Sequence, residues 1–495
     1  MTASLGELVP VGSGRVGSHE LFPQTQRSLD RMAAQLEAGP TSRGVALVDA
    51  AFSAGADYLP AARVALGLLA DDSLTQLEHD IAAAFLRSDQ PPPADTGFGD
   101  QRPIWLRIAK LKAILVREPN NAVRWMDLGR EYFALGQKKH AERAVGIALA
   151  LRPSNRFIVR CAVAFFEHGE DFDRAQHVLQ QSGRLETDPW LLAAAVAMSD
   201  LQKQGGKYLR QARALLERGD LSPWDSAELL GATATVEIGG GRARHSRRLM
   251  RRALECPTEN VLAQAEWARE HGLLESFEDA SAGLEPPRAF EAASIREGRA
   301  ANWDSSATSA KLWVQDQPFS LQAAVYGSWV AAQGGEYELA ASLAEAGLIA
   351  NPSGILQNNL AYALACEGRL ADATDHLAKA WRLEMDSAAR AHLTATRGLI
   401  LFRAGEIAGG RRSYLESIRA LTGLRQKESA AMACVLLAEE EIRANGEVDD
   451  AFLRAAAAIG STARTPALRA RWESLEQLSK GAVGRVGRRS PEETA

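Results

Sequence analysis

The glycine-rich and titratable clusters are the places where this chain of 495 residues would do chemistry, and each lacks the context that chemistry needs. Gly12-Ser13-Gly14-Arg15-Val16-Gly17 has the spacing of a dinucleotide-binding loop. Such a loop works only where it opens a helix inside a βαβ unit, with an acidic residue about 20 positions on. Here Ser18–Pro23 follow and helical periodicity takes over, so the stretch reads as a flexible tail. Gly205-Gly206-Lys207 lacks the upstream glycine of a phosphate-binding loop, runs into Tyr208, and reads as a helix–helix turn. The nine histidines include no HExxH pair, His168 and His177 stand isolated, and the four cysteines form no CxxC. Cys161, Cys256, Cys366 and Cys434 read as buried small hydrophobes. The run Glu439-Glu440-Glu441 reads as a solvated helix face, and no serine sits in a nucleophile-elbow pattern. We therefore expect no catalytic, cofactor-binding or metal-ligating residue, and no enzyme domain.

One charge feature stands apart. Arg242, Arg244, Arg247, Arg248, Arg251 and Arg252 crowd a short stretch with His245, and no acidic residue follows until Glu255. As a helix the stretch spans about 15 Å, with Arg244, Arg248 and Arg251 in one stripe. It has two readings. One is a solvated outer face with Ala243, Leu249, Met250 and Ala253 turned inward. The other is a dock for an acidic partner or a phosphate backbone, joined by the basic tail at Arg485, Arg488 and Arg489.

These residues sit on helices whose pattern repeats. Trp125, Leu128, Gly129 and Tyr132 fall at i, i+3, i+4 and i+7 of a first helix. Gly129 permits close approach of a second helix, Gly136 ends the first, Ala141, Val145 and Ala148 form the inner stripe of the second, and Pro153 closes it. The order recurs loosely over 156–189, where Gly169 marks the turn, and more faintly over 190–223 and 224–257, with turns at Gly205-Gly206 and Gly239-Gly240-Gly241. It returns clearly after 287: Tyr326, Trp329, Gly335, Ala340, Ala344 and Pro352, then Asn358-Asn359-Leu360-Ala361-Tyr362, Gly368-Arg369-Leu370 and Ala373-x3-Leu377, then Gly398, Gly405 and Tyr414.

With these residues in view, the chain resembles the tetratricopeptide repeat family, in its bacterial form, over roughly 120–425. The resemblance implies an all-α fold, a right-handed superhelical solenoid of helix pairs. It also implies a non-enzymatic scaffold or adaptor that holds a partner protein or peptide in a concave helical groove. The family's inward positions fall on Met126, Arg130, Phe133, Arg160, Glu167, Val325, Trp329, Asn358, Tyr362, Leu399, Phe402 and Arg403. Either these line an open groove, where aromatics and arginines are strong anchors, or Phe133, Trp329 and Tyr362 pack between repeats. The lysine/asparagine clamp of relatives that bind chaperone tails is absent from these positions. The family places second helices on the convex side, which sets the arginine cluster apart from the groove.

The organisation that follows is a flexible tail (1–19), an N-terminal helical region (20–88), a linker carrying Pro91-Pro92-Pro93 (89–102), a first repeat block (103–286), a second (287–425), capping helices (426–478) and a disordered tail (479–495). A net charge of −5 gives no global attraction to polyanions. No apolar run reaches the 18–20 or so residues of a membrane span, and four scattered cysteines suit a reducing cytoplasm.

Overall fold

The computed structural model describes residues 101–203, 206–270, 289–445, 455 and 465–486. The expected tail at 1–19, with its Gly12–Gly17 run, the region 20–88, the linker as far as 100, the seam at 283–287 and the helix expected at 449–459 lie outside them, position 455 excepted. The described residues form twenty helices and no strand. In chain order they are α1 Arg102–Arg117, α2 Ala122–Ala134, α3 Lys138–Leu151, α4 Arg156–His168, α5 Phe172–Gln181, α6 Pro189–Leu201, α7 Lys207–Glu217, α8 Pro223–Gly239, α9 Ala243–Ala253 and α10 Glu259–Glu270. Then come α11 Phe290–Arg299, α12 Trp303–Asp316, α13 Leu321–Gly334, α14 Tyr337–Ala350, α15 Gly354–Cys366, α16 Leu370–Trp381, α17 Ser387–Arg403, α18 Ile407–Gly423, α19 Lys427–Asn445 and α20 Pro466–Val486. The chain divides into two compact units at Ile295/Arg296, within α11.

Each unit is an array of helix pairs in which local chemistry sets every boundary. First helices begin behind a side-chain cap. Asn121, Asn155, Asp188 and Ser222 accept from backbone N–H groups of α2, α4, α6 and α8. Thr258 accepts from the N–H of Val261 in α10. Ser320, Ser353 and Asp386 cap α13, α15 and α17 in the same way. Each such cap satisfies a donor that the helix itself cannot. The onsets Ala122, Arg156, Pro189 and Pro223 recur at a spacing of about 34 residues, the length of a tetratricopeptide unit.

First helices end on a left-handed residue: Gly136, Glu170, Lys203 and Gly241 in the first unit, and Ala301, Gly335, Gly368 and Gly405 in the second. The residue after it commonly donates its N–H five positions back, as Gln137 does to Tyr132 and Glu406 to Leu401, both at 2.9 Å. That is the closing bond of a Schellman motif. At two of these turns the glycine is not the left-handed residue. Gly169 keeps a right-handed conformation, and Glu170 takes the left-handed one; at the next turn Lys203 does so, ahead of Gly206. The motif fixes the position of the left-handed residue relative to the helix end, and these glycines stand off it.

Between turns, the pairs pack through small residues. A Cβ on Gly129 would lie 2.9 Å from Val145 Cγ2, so α2 and α3 close against each other there. Ala141, Val145 and Ala148 are buried as the α3 stripe predicts, and Leu128 and Tyr132 of α2 are buried as well. The first core runs from Ala122 to Cys256 and centres on α4, α5 and α6, whose Ile158, Leu179, Trp190 and Met198 are sealed. At the far end, α20 packs on α19 through Leu468 and Leu475 against Val435 and Ile442, and it remains helical to Val486, past the boundary expected at 478. A helix anchored by a packed stripe extends at small cost per residue.

Candidate partner-binding surfaces

In the first unit, polar side chains of successive first helices meet one another. Arg160 of α4 is 2% exposed, with its guanidinium 4.4 Å over the ring of Trp190 in α6 and 3.9 Å from Glu228 in α8. Glu228 accepts from Asn260 of α10 at 2.8 Å. One polar line thus runs through four first helices. Beside it, Glu131 of α2 pairs with Arg130 at 3.0 Å and with Arg107 of α1 at 2.9 Å. Met126, Phe133 and Glu167 are buried, and Phe133 sets its ring edge-on to Phe165 at 4.8 Å. Arg130 alone of the expected groove residues here keeps part of its surface.

The second unit shows a similar withdrawal. Val325, Asn358, Tyr362, Leu399 and Phe402 are all buried, so an open groove lined by these side chains is corrected to an interior. Phe402 lies 6.1 Å from the ring of Tyr414, against the close contact of Gly410. Polar linkage between α13 and α15 uses Asn359, which donates to Ser328 Oγ at 2.9 Å. Arg403 keeps a part-exposed side chain but places Nε 2.8 Å from Glu440 of α19. Trp329 also stays part-exposed; its ring stands 6.1 Å from Trp303, also part-exposed, and 5.5 Å from Tyr326.

What covers Tyr362 is the carboxyl-terminal pair of helices. Arg471 of α20 lies 2.9 Å from Glu439 and 3.4 Å from the Tyr362 hydroxyl. Glu439, Glu440 and Glu441 are each buried and each meet an arginine: Arg471 and Arg443, Arg403 and Arg443, and Arg411, respectively. The expected solvated face is therefore corrected to an ionic core. Three carboxylates find arginines on α17, α18 and α20, and those partners lie too far along the chain for helical periodicity to reveal. Burial pushes the Tyr362 hydroxyl well above its ordinary range and raises the Cys366 thiol and the Glu439 carboxyl, the last against the pull of Arg471. Burial also disfavours the Arg471 charge, but Tyr362 and Glu439 outweigh it and its affinity for the proton rises. These shifts keep the thiol and phenol protonated and unreactive at neutral pH.

The arginine cluster falls on α9. Ser246, Leu249, Met250 and Ala253 face inward, while Ala243, expected there, is exposed. Arg244, Arg247, Arg248, Arg251 and Arg252 are exposed, and Arg242 pairs with Glu237 at 3.3 Å. Among the described residues, no three His, Cys, Asp or Glu side chains are placed to hold a metal, and all four cysteines are free thiols. No helix of those residues is long and apolar enough to cross a membrane.

No family model matches the chain, and no curated protein matches it. Its fold is similar to solved helical structures. One is yeast Tom70, at 12% identity and a TM-score of 0.31, covering 79% of this chain and 98% of that one. Another is a human IFIT1 dimer with PPP-AAAA, at 14% identity and a TM-score of 0.35, covering 79% of this chain and 96% of that one. What those proteins bind is a property of theirs.

Trp190, Glu228, Asn260, Asn359, Glu439 and Arg471 are the residues that spacing alone missed. For Glu228 and Asn260 a signal existed: they stand about one repeat apart on successive first helices. Arg471 carried no signal at all.

Proposed function

We propose that this chain is a non-enzymatic interaction scaffold of the tetratricopeptide-repeat kind, holding a partner protein or extended peptide against its first helices. The observation that carries the reading is Trp329. Among the aromatic side chains of α13, α15 and α17, Tyr326, Tyr362 and Phe402 are sealed, whereas Trp329 keeps an accessible face beside a second part-open indole, Trp303. Two rigid indoles edge-on to each other offer a large apolar contact that loses little conformational entropy on binding, the character of an interface anchor. The polar line from Arg160 to Asn260 supports the reading further. Buried ionic and amide pairs add little net stability compared with apolar packing, and fixing the register of neighbouring elements is their best-attested use. We place the protein in the reducing cytoplasm of a bacterium, which suits its four free thiols.

The test is a photocrosslinking amino acid at position 329 or 303, used in nuclease-treated extract of the native host. A defined protein crosslinked at both positions, and no longer captured by Trp303→Ala/Trp329→Ala, is the expected result. If that folded double variant captures the same protein undiminished, the anchor assignment fails.

A further inference from the structure

The five exposed arginines of α9 are a feature that a groove scaffold leaves unexplained. Four inward residues fix the helix: Ser246 donates to the Ala234 carbonyl of α8 at 2.7 Å, and Leu249, Met250 and Ala253 are buried. The opposite face carries Arg244, Arg247, Arg248, Arg251 and Arg252, all exposed. None of the five lies within ion-pair distance of a carboxylate among the described residues; Arg248 meets only His245, at 3.0 Å, and Arg247 the carbonyl of Ala243. Arg251 and Arg252 suit the negative end of the helix dipole. Arg244, Arg247 and Arg248 do not share that benefit, and the pairs 244/248, 247/251 and 248/252 repel at i,i+4 spacing. Among the described residues no carboxylate answers this face, which points to an anion outside the fold.

The composition of the face selects among anions. Its exposed side chains are arginines and Ala243, with no aromatic or large aliphatic group. A protein interface is built around apolar and aromatic anchors, which are lacking. Single-stranded nucleic acid is held by stacking bases on aromatic rings, also lacking. A duplex phosphate backbone needs neither. The guanidinium fork matches phosphate oxygens, and a helix of about 15 Å lies along roughly nine duplex phosphates. The chain's net charge of −5 does not oppose this, because charges beyond about 8 Å are largely screened at physiological salt.

We propose that α9 docks on the phosphate backbone of a nucleic-acid duplex, without reading base sequence. This surface is independent of Trp303 and Trp329, so either assignment can fail alone. The experiment measures fluorescence anisotropy of the full chain with a labelled 24-base-pair DNA duplex and with an RNA duplex of the same sequence, across a salt series. With four or five phosphates neutralised, log affinity should fall against log salt with a slope of about −4. The variant Arg247→Glu/Arg248→Glu/Arg251→Glu/Arg252→Glu should lose at least about 100-fold in affinity, and the four lysine replacements should lose only several-fold. Should the glutamate variant fail to fold, Arg247→Gln/Arg251→Gln should lower the salt slope by about two. A slope near zero, unchanged affinity in a folded charge-reversed variant, or a slope unmoved by the glutamine pair overturns the proposal. So does polyglutamate competing as well as duplex, which would make the surface an acidic-protein dock. A binding preference between DNA and RNA identifies which duplex it serves.

Discussion

Arg471 of α20 sets its Nε 2.9 Å from Oε1 of Glu439 in α19, in a contact that is ionic but off the hydrogen-bond direction. The same guanidinium reaches Tyr362 of α15. The last helix thus ties back across the second array to a helix more than a hundred residues earlier, and covers a side chain that the repeat pattern alone would leave open to a partner.

Removing one partner of this pair should be far more damaging than removing both. Arg471→Met leaves Glu439 buried, with Arg443 at 3.8 Å as its remaining ion-pair partner among the described residues. A loss of about 3 kcal/mol is expected. Arg471→Met/Glu439→Leu should recover most of it, because apolar groups of similar volume avoid the desolvation cost. Urea unfolding of the two variants measures the difference; equal losses would show that the pair acts only through packing volume.

Two glycines should respond to alanine with opposite signs. At Gly398 a Cβ would stand 2.7 Å from the Tyr414 ring and 3.1 Å from the backbone oxygen of Gly410, so Gly398→Ala should cost about 1–3 kcal/mol. Gly146, inside α3, has nothing within 4 Å, so Gly146→Ala should stabilise by about 0.5–1 kcal/mol through helix propensity. Thermal melts of both variants decide.

The left-handed turns that lack glycine are also improvable. Glu170 is exposed at φ 60°, and Glu170→Gly should stabilise by up to about 1 kcal/mol by removing the Cβ penalty. A lower midpoint would mean that the Glu170 side chain contributes more than its backbone costs.

Acid should weaken the second unit through His392. Burial in α17 lowers its pKa from 6.5 to about 4. Between those values the unfolded chain binds the proton and the folded chain does not. Its contribution is therefore complete above about pH 6.5 and declines as pH falls towards 4, by on the order of 3 kcal/mol. Stability measured from pH 7 to 4 should be flatter in His392→Leu than in the parent; parallel profiles would place the titration elsewhere.

What the sequence by itself determined is whatever a few neighbouring residues decide. Asn121, Asn155, Asp188, Ser320 and Ser353 cap helices through donors two or three positions away, Gly136 and Gly335 end them within one turn, and the Ala141–Val145–Ala148 stripe needs only the helical period. The repeated helix pair rests on such local contacts. Tertiary structure alone decided which first-helix residues a partner could reach. Tyr362 closes because Arg471 arrives from α20, Glu439–Glu441 turn inward because Arg403, Arg411 and Arg471 converge on them, and Arg160 disappears between Trp190 and Glu228. Such contacts join residues 30 to 110 or so positions apart, where periodicity carries no phase and burial of a charge depends on the partner's position. For the outer face of α9 the two levels agree, because the charge of five arginines on one helix face follows directly from their spacing.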